Sequence, residues 1–247
     1  MSITRIGIDT AWTSATNNTT HGITIPSDCT LAILGVSGYF ATTAYFSGGT
    51  VAIGANNFTA ISGADAGFAA FQACLWYRVN PPTGAQTLTW NWSLTGDATN
   101  GVRFQMAYYK GVNTSDLIHD SYGGQDPAAP QSTDTLTVDS GEMVIGVFGS
   151  YVDSAPTFSW TNLTAYHSDW DGSSAGLSMA DAIPGGNIVV TADETGTHGD
   201  SGLAVIVVKA AATAGSSIEP SVGSAALSGN QSILNFGIPV PVMRRAG

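Results

Sequence analysis

The stretch Gln86-Thr-Leu-Thr-Trp-Asn-Trp-Ser-Leu94 decides the fold class. Its large apolar residues alternate with Thr, Asn and Ser, so Leu88, Trp90, Trp92 and Leu94 share one face of an extended strand. Alternation with a period of two is typical of an antiparallel strand that buries one face and exposes the other. Such a face needs a second sheet to cover it, so we predict that Trp90 and Trp92 are core residues.

Similar or more fully apolar runs recur along the first 210 residues and are separated by turn signals such as Asn80-Pro-Pro-Thr-Gly84 and Asp139-Ser-Gly141. The predicted strands lie at 3–8, 30–36, 69–79, 102–109, 143–151, 157–167, 188–192 and 202–210. Many short strands without a convincing amphipathic helix predict an all-β, antiparallel β-sandwich of jelly-roll type. Residues 62–71 are predicted to form either a short helical turn or an Ala/Gly-rich loop.

The character of the chain changes near residue 212, where the small-residue stretch Ala210-Ala-Ala-Thr-Ala-Gly-Ser-Ser217 is typical of a linker. We therefore predict a β-sandwich domain at 1–212, followed by a linker and an extended C-terminal arm at 213–247. The first region holds five basic and seventeen acidic residues, whereas the second holds Arg244 and Arg245 against Glu219. This polarity suits an arm that lies on an acidic body, either its own or a neighbour's.

The arm ends in Ile233-Leu-Asn-Phe-Gly-Ile-Pro-Val-Pro-Val-Met243, which alternates apolar residues with Asn, Gly and Pro. In an extended strand Pro239 and Pro241 remove amide donors from one edge only, so the other edge can still pair with a sheet. The apolar side chains share a face and can enter a groove, as in β-augmentation. The predicted subunit-interface residues are Leu234, Phe236, Ile238, Val240, Val242, Arg244 and Arg245.

Composition limits the class of partner. Only 10% of the 247 residues are charged, the formal net charge is −11 and the mean hydropathy is +0.14. The acidic balance argues against a nucleic-acid or anionic-membrane partner, and the low charge content favours a permanently assembled protein. The N-terminus lacks the apolar core of a secretion signal, so synthesis in a cytoplasm is expected.

Cys29 and Cys74 lie in apolar runs and are predicted to be buried thiols, with a single disulfide as the alternative.

The stretch Gly199-Asp-Ser-Gly-Leu203, preceded by His198, resembles the nucleophile turn of chymotrypsin-like proteases. That chemistry needs a serine, a histidine and an aspartate brought together with oxyanion donors. Leu203 stands where the second glycine is expected, and no histidine has the surrounding sequence of such a protease. We therefore predict a polar turn that leads into an apolar strand.

The stretch His167-Ser-Asp-Trp-Asp-Gly172 offers an imidazole and two carboxylates, but a calcium loop needs more ligands, so a turn is predicted. The four histidines lack the spacing of a zinc site. Trp170 is the aromatic residue considered as an exposed glycan contact, with loop anchoring as the alternative. We predict no catalytic, metal-binding or cofactor-binding residue.

Four segments of the chain resemble a known family. They are residues 76–90, with the sequence Trp-Tyr-Arg-Val-Asn-Pro-Pro-Thr-Gly-Ala-Gln-Thr-Leu-Thr-Trp, and the shorter segments Tyr108-Tyr-Lys-Gly-Val-Asn113, Thr135-Leu-Thr-Val138 and Leu203-Ala-Val-Ile-Val-Val208. These segments resemble a β-sandwich domain of phage and prophage virion proteins. The stretch Gly223-Ser-Ala-Ala-Leu-Ser-Gly-Asn230 resembles segments that end many structural proteins of tailed phages. The resemblance covers roughly residues 30–240 and implies a structural role with no catalytic residues.

These observations predict a phage virion structural protein, a capsid decoration or head-associated subunit that binds copies of itself and other virion proteins. Its expected location is the virion, after assembly in the host cytoplasm. A tail or neck component is one alternative, and a carbohydrate-binding module that recognises a surface glycan is another. A hydrolase is the remote third possibility.

Overall fold

A computed structural model describes residues 2–14, 19–39, 49–67, 71–91, 102–126, 130–152, 154–170, 172, 175–195 and 198–212. These residues contain β-strands and no helix. The strands are β1 (Thr4–Ile8), β2 (Trp12–Ser14), β3 (Thr19–Ile25), β4 (Leu31–Tyr39), β5 (Thr50–Ile53), β6 (Asn56–Asn57), β7 (Thr59–Gly67), β8 (Phe71–Val79), β9 (Gly84–Asn91), β10 (Val102–Lys110), β11 (Ile118–Asp126), β12 (Gln131–Ser132), β13 (Met143–Val152), β14 (Thr157–Thr161), β15 (Thr164–Trp170), β16 (Ala175–Ala182), β17 (Thr191–Thr195) and β18 (His198–Val208).

The strands form four sheets, and the pairings between neighbouring strands are antiparallel. Inner sheet 1 has the order β1-β10-β4-β8-β7, with β2 also paired to β10, and outer sheet 1 has the order β3-β9-β5-β6. Inner sheet 2 has the order β11-β18-β13-β16-β15, and outer sheet 2 has the order β12-β17-β14. The predicted all-β class is therefore confirmed.

The strand order is that of two jelly rolls in tandem. In strands β11–β18, the first, eighth, third, sixth and fifth strands form one sheet in that order, and the second, seventh and fourth form the other. The same order holds for β1, β3, β4, β5, β7, β8, β9 and β10, with β2 and β6 as short additions. The sandwich that the sequence predicts as one unit is thus built from two jelly rolls within the compact unit Met1–Thr213.

The two jelly rolls also repeat irregular details. The first strand of each bulges at equivalent points, between Arg5 and Gly7 in β1 and between Ile118 and Asp120 in β11. The fifth strand of each, β7 or β15, starts in a common sequence, Asn57-Phe-Thr-Ala60 or Asn162-Leu-Thr-Ala165, and bulges directly after the alanine. Because bulges shift the register of a whole strand, matching bulges indicate an internal duplication.

The inner sheets stack face to face in a two-fold manner. Strand β4 lies against its own equivalent, β13, while β8 lies against β18 and β10 lies against β16. Strand β7 lies against β11, and β1 meets β15 where Arg5 covers the ring of Tyr166. The contacts among the central strands are thus matched by the contacts between their exchanged equivalents, as in the interface of a symmetric homodimer, whereas β7 contacts β11 and β18 more extensively than β15 contacts β1 and β10.

Three apolar cores fill the gaps between the four layers. Alternate residues of β4 serve two of them, because Leu34 faces outer sheet 1 while Ile33 faces inner sheet 2. The central core also contains Tyr109, Ile145 and Met179. The third core lies between inner sheet 2 and outer sheet 2, and includes Phe148 and Val205. Burial on both faces explains why the inner strands are apolar runs without clear alternation.

The structure confirms most of the predicted strands. Leu88 and Trp90 of β9 are 0% and 2% exposed, as the alternation predicts, whereas Trp92 and Leu94 lie outside the described residues. The run at 157–167 is divided by a turn at Asn162, which has a φ of 69°, and the strand predicted at 188–192 starts only at Thr191. Five strands of four or more residues were missed. Polar residues or glycines interrupt the apolar pattern of β3, β7, β11 and β16, and β5 has only four residues.

Two local predictions were wrong. Residues 62–71 form neither a helical turn nor a loop where they are described, because β7 continues to Gly67 and β8 starts at Phe71. The stretch Gly199-Asp-Ser-Gly202 is not a turn but part of β18, which starts at His198. In both places tertiary pairing overrides the local preference of small and polar residues.

The two cysteines are buried thiols, as predicted. Cys29 is 6% exposed and its Sγ lies 3.3 Å from the carbonyl oxygen of Leu31, and burial raises the pKa of this thiol to about 11. The Sγ of Cys74 accepts a hydrogen bond of 3.2 Å from Nε1 of Trp76. The predicted arm at 213–247 lies outside the described residues.

Candidate functional site

A polar cluster joins the two jelly rolls at one edge of the inner sheets. Nη1 of Arg5 donates to Oδ2 of Asp181 at 2.6 Å, and the hydroxyl of Tyr109 donates to the same oxygen at 3.0 Å. The Tyr109 hydroxyl also lies 3.3 Å from that of Tyr166, and the Arg5 guanidinium lies 4.0 Å from the centre of the Tyr166 ring. Arg5 and Tyr109 belong to the first jelly roll, and Tyr166 and Asp181 belong to the second.

Burial dominates the electrostatics of this cluster. Burial raises the pKa of Asp181 although Arg5 and Tyr109 oppose the shift, and it raises the pKa of Tyr109 and of Tyr166. Both hydroxyls therefore remain protonated donors at neutral pH. Each of these interactions crosses from one jelly roll to the other or supports one that does, so the geometry indicates that the cluster fixes the two jelly rolls together.

A second ion pair crosses the same junction. Arg103 of β10 donates to Asp169 of β15, and the side chain of Arg103 is 8% exposed. His167 lies on the same strand as Asp169, and its Nε2 is buried with no hydrogen-bond partner among the described residues. Burial, assisted by the positive charge of Arg103, lowers the pKa of His167 to about 4. His167 is therefore a neutral imidazole at physiological pH.

The structure also brings together His119, Asp139 and Glu142. The side-chain nitrogen and oxygen atoms with which these residues could bind a metal ion all lie within 4.8 Å of one another. Nδ1 of His119 lies 2.6 Å from Oε2 of Glu142 and 3.9 Å from Oδ2 of Asp139. The same Oε2 accepts the backbone amide of Asp139, so Glu142 also caps the turn before β13. The hydrogen bond between Glu142 and His119 raises the pKa of His119. Sequence reasoning missed this group because His119 is far from the other two in the chain, and the one available signal was the Asp139 turn.

The solvent face of outer sheet 1 carries no ionisable residue among its described side chains. Alternation along β3, β9 and β5 turns their apolar side chains inward and leaves small or polar ones outside. The outward residues are Thr20, Gly22, Thr24, Thr50, Ala52, Ala85, Thr87, Thr89 and Asn91. Rows such as Thr20, Thr89 and Ala52 lie side by side across the sheet. An uncharged face on a chain of net charge −11 can meet another acidic protein without bringing like charges into contact.

A cluster of aromatic residues lies at the edge of the second jelly roll. Phe158 and Trp160 of β14 pack against the third core but remain partly exposed. The ring of Phe158 would lie 2.6 Å from a Cβ on Gly176, and Trp170 is the cross-strand neighbour of Gly176. Since cross-strand neighbours share a face, Trp170 lies on the same side of inner sheet 2 as Phe158. Nε1 of Trp160 donates to Oγ of Ser178 at 2.9 Å.

The predicted site residues have different outcomes. The interface residues Leu234, Phe236, Ile238, Val240, Val242, Arg244 and Arg245 lie outside the described residues, and their role stays a prediction. Ser201 is 1% exposed and accepts a hydrogen bond from Nε2 of Gln131 at 3.1 Å, so it is no accessible nucleophile. His167 and Asp169 belong to β15 rather than to a turn, and Asp171 is outside the described residues. Trp170 is on the same strand and partly exposed.

Comparison with known proteins gives little further information. No protein-family profile matches the chain, and no curated protein matches it. One solved structure, described as the crystal structure of the STIV MCP, a viral capsid protein, is similar over 84% of this chain and 95% of that chain, at 10% identity and a TM-score of 0.28. In the described part of the chain, no helix has the length and apolar character needed to cross a membrane.

Proposed function

We propose that the chain is a virion structural protein that works by self-association and by docking on neighbouring virion proteins, as a capsid decoration or head-associated subunit. The observation that carries the proposal is that the described side chains on the solvent face of outer sheet 1 are small or polar and uncharged. Two copies that each carry a net charge of −11 repel one another least when they meet through surfaces without carboxylates. The jelly-roll fold and the sequence resemblance to phage virion proteins support the same role.

The composition of this face suits an assembly contact. Threonine side chains are β-branched and short, so they lose little conformational freedom when a partner covers them. Hydroxyl groups at such a face can pair with a partner or with interfacial water. The predicted C-terminal arm adds a second means of attachment, in which Leu234, Phe236, Ile238, Val240 and Val242 dock on a neighbouring subunit. The proposal assigns no catalytic residue, metal or cofactor to the chain.

Sedimentation velocity of the full chain over a wide concentration range tests this function. We expect an oligomer that persists on dilution, and we expect Thr87→Glu with Thr89→Glu to shift it towards monomer by placing carboxylates on the face. The matched control is Ser115→Glu, which adds a carboxylate to an exposed loop residue away from this sheet and should leave the oligomer unchanged. A wild-type chain that is monomeric at every concentration would show that the proposal is wrong.

A second candidate function is binding of a surface glycan by a carbohydrate-recognition module. The observation that favours it is the partly exposed aromatic group of Phe158, Trp160 and Trp170, with the hydroxyl of Ser168 nearby. Aromatic faces beside polar groups are typical of sugar contacts. A glycan array separates the two functions, because a monomer that retains a saccharide would favour the module.

A further inference from the structure

Comparison of the two jelly rolls reveals a strand position that is filled in one and open in the other. In outer sheet 1, β6 pairs with the outer edge of β5, where Ala52 faces Asn57 and Ile53 faces Asn56. In outer sheet 2, β14 is the terminal strand and no described residue occupies the equivalent position. The internal repeat therefore marks a missing strand beside β14.

The reason for the opening is visible in the sequence. The segment from Thr50 to Ala60 has eleven residues, whereas its equivalent from Thr157 to Ala165 has nine. The shorter connection turns at Asn162, whose Nδ2 donates to the carbonyl of Val189 at 2.7 Å, and enters β15 directly. The chain is thus too short at this point to form a counterpart of β6.

Strand β14 itself also lacks the features that protect the edges of the inner sheets. The edge strands of the inner sheets, β1, β7, β11 and β15, all contain bulges, which discourage pairing with another chain. Strand β14 pairs with β17 without a register shift and contains neither proline nor a charged residue. Its outer edge therefore presents regularly spaced backbone donors and acceptors.

The edge of β14 differs from that of β3, which is also regular. The inward residues of β3, Ile23 and Ile25, are 3% and 1% exposed, so an added strand would cover no further apolar surface there. At β14 the inward residues Phe158 and Trp160 remain partly exposed. A strand added beside β14 would cover them and would bring its own apolar side chains next to the third core.

We propose that residues 234–242 of a second copy fill this position and pair with β14 as an added strand. The inference rests on the proposed function, because it supplies the contact between copies. The segment has five apolar residues of one parity, which suit the face that Phe158 and Trp160 leave partly exposed. Pro239 and Pro241 remove donors from the opposite edge only, so the added strand would end the sheet rather than recruit another strand.

The length of residues 213–233 and the charge of the C-terminal arm are both compatible with docking of residues 234–242 beside β14. Residues 213–233 separate the segment from the described body, and an extended chain of that length spans up to about 70 Å. That length allows the arm to reach a neighbouring molecule. Residues 213–247 carry two basic residues and one acidic residue, whereas residues 1–212 carry five basic and seventeen acidic residues, so arm and body attract each other.

A pair of proline substitutions in the full chain tests the pairing. Ile238→Pro removes an amide donor from the edge that should pair, whereas Gly237→Pro removes one from the edge that Pro239 and Pro241 already block. We expect Ile238→Pro to weaken self-association by about a hundredfold or more, because backbone pairing and one apolar contact are lost, and Gly237→Pro to leave it unchanged. Sedimentation equilibrium measures both. Equal effects of the two prolines, whether large or absent, would overturn the proposal.

Cross-linking identifies the copy and the strand involved. Thr161→Cys and Gly237→Cys are made in separate full-length chains of distinguishable mass, mixed and treated with a short bismaleimide. A mixed dimer supports the proposal. When both cysteines are placed in one chain, a cross-link confined to monomers would show that the arm docks on its own body and would overturn the inference. An oligomer that persists without residues 231–247 would leave the proposed function intact while removing this contact.

Discussion

Nη1 of Arg5 lies 2.6 Å from Oδ2 of Asp181, and this ion pair joins the first strand of one jelly roll to the sixth strand of the other. The side chain of Asp181 is 12% exposed, and burial raises its pKa in spite of the neighbouring Arg5. The site therefore favours the charged carboxylate less than water does, which means that the ion pair does not fully offset the cost of burying the charge.

The two partners of this ion pair should consequently respond differently to substitution. Arg5→Gln leaves a buried carboxylate without its cation and should lower the free energy of unfolding by about 2 kcal/mol at pH 7. Asp181→Asn removes the buried charge and retains an acceptor for Tyr109, so it should change that free energy by less than about 1 kcal/mol. Urea unfolding measures both. Lys110→Gln is the control, because the pair of Lys110 and Asp28 has the same length of 2.6 Å but is exposed, and its loss should have no measurable effect.

A second prediction concerns a close contact between the inner sheets. A Cβ on Gly35 of β4 would lie 2.5 Å from Sδ of the buried Met179 of β16, so a side chain at residue 35 would force Met179 to shift. We expect Gly35→Ala to lower the free energy of unfolding by about 1–3 kcal/mol, because the added methyl group overpacks the central core.

The matched control for this substitution is Gly22→Ala, at an open position of the outer sheet with no atom within 4 Å. It should be neutral or slightly stabilising, since alanine loses less backbone entropy than glycine on folding. The double variant Gly35→Ala with Met179→Ala should be more stable than the sum of the single effects predicts, since the new methyl group enters the space that Met179 leaves. Additive effects would mean that Gly35 is required for another reason.

The third prediction is a pH dependence that originates at His167. Its pKa in the folded protein is about 4, below the ordinary value of 6.5, so the unfolded chain binds a proton first as the pH falls. The free energy of unfolding therefore has its full value, as far as His167 is concerned, above pH 6.5. It falls by about 1–3 kcal/mol in total as the pH is lowered from about 6.5 to 4. Asp181, whose pKa is raised, acts in the opposite direction in acid.

Comparison of the wild type with His167→Gln isolates the histidine from Asp181. The variant should show a flatter dependence of unfolding free energy on pH between 6.5 and 4, measured with urea at several pH values. In a titration followed by NMR, His119 should titrate above its ordinary pKa and His167 near 4. Parallel pH profiles for the two proteins would contradict the assignment.

The extent to which the sequence predicts this fold depends on what each strand buries. Strand β9 buries one face and exposes the other, so Leu88 and Trp90 reveal it by alternation. Strand β16, Ala-Gly-Leu-Ser-Met-Ala-Asp-Ala, contains small and polar residues because Gly176 must accommodate Phe158 and because Asp181 serves the ion pair with Arg5. Those requirements come from residues distant in the chain, so local pattern does not predict that strand.

The duplication was hidden for a related reason. The two jelly rolls keep the positions of bulges and the order of strands, while few residues besides Asn-x-Thr-Ala at 57–60 and 162–165 remain the same. Strand order depends on the alternation of burial and on turn lengths, which many sequences satisfy. The aromatic group at β14 was missed as a group because Trp170 lies on a different strand from Phe158 and Trp160, and its place on the same side as Phe158 follows only from the pairing of β15 with β16.

The last prediction concerns the strength of the association between the two jelly rolls. They are joined by the segment from Asn113 to Asp116, where Oδ1 of Asn113 accepts the amides of Ser115 and Asp116. Insertion of a protease site between Thr114 and Ser115, which are both exposed, should cost little stability. After cleavage the halves should remain together in size-exclusion chromatography without denaturant, since the central core takes apolar residues from both inner sheets and each half alone would expose them. The contradicting outcome is separation into two folded halves, each of which keeps a near-ultraviolet circular dichroism spectrum typical of packed aromatic side chains. That outcome would show that each inner sheet is stable without the other.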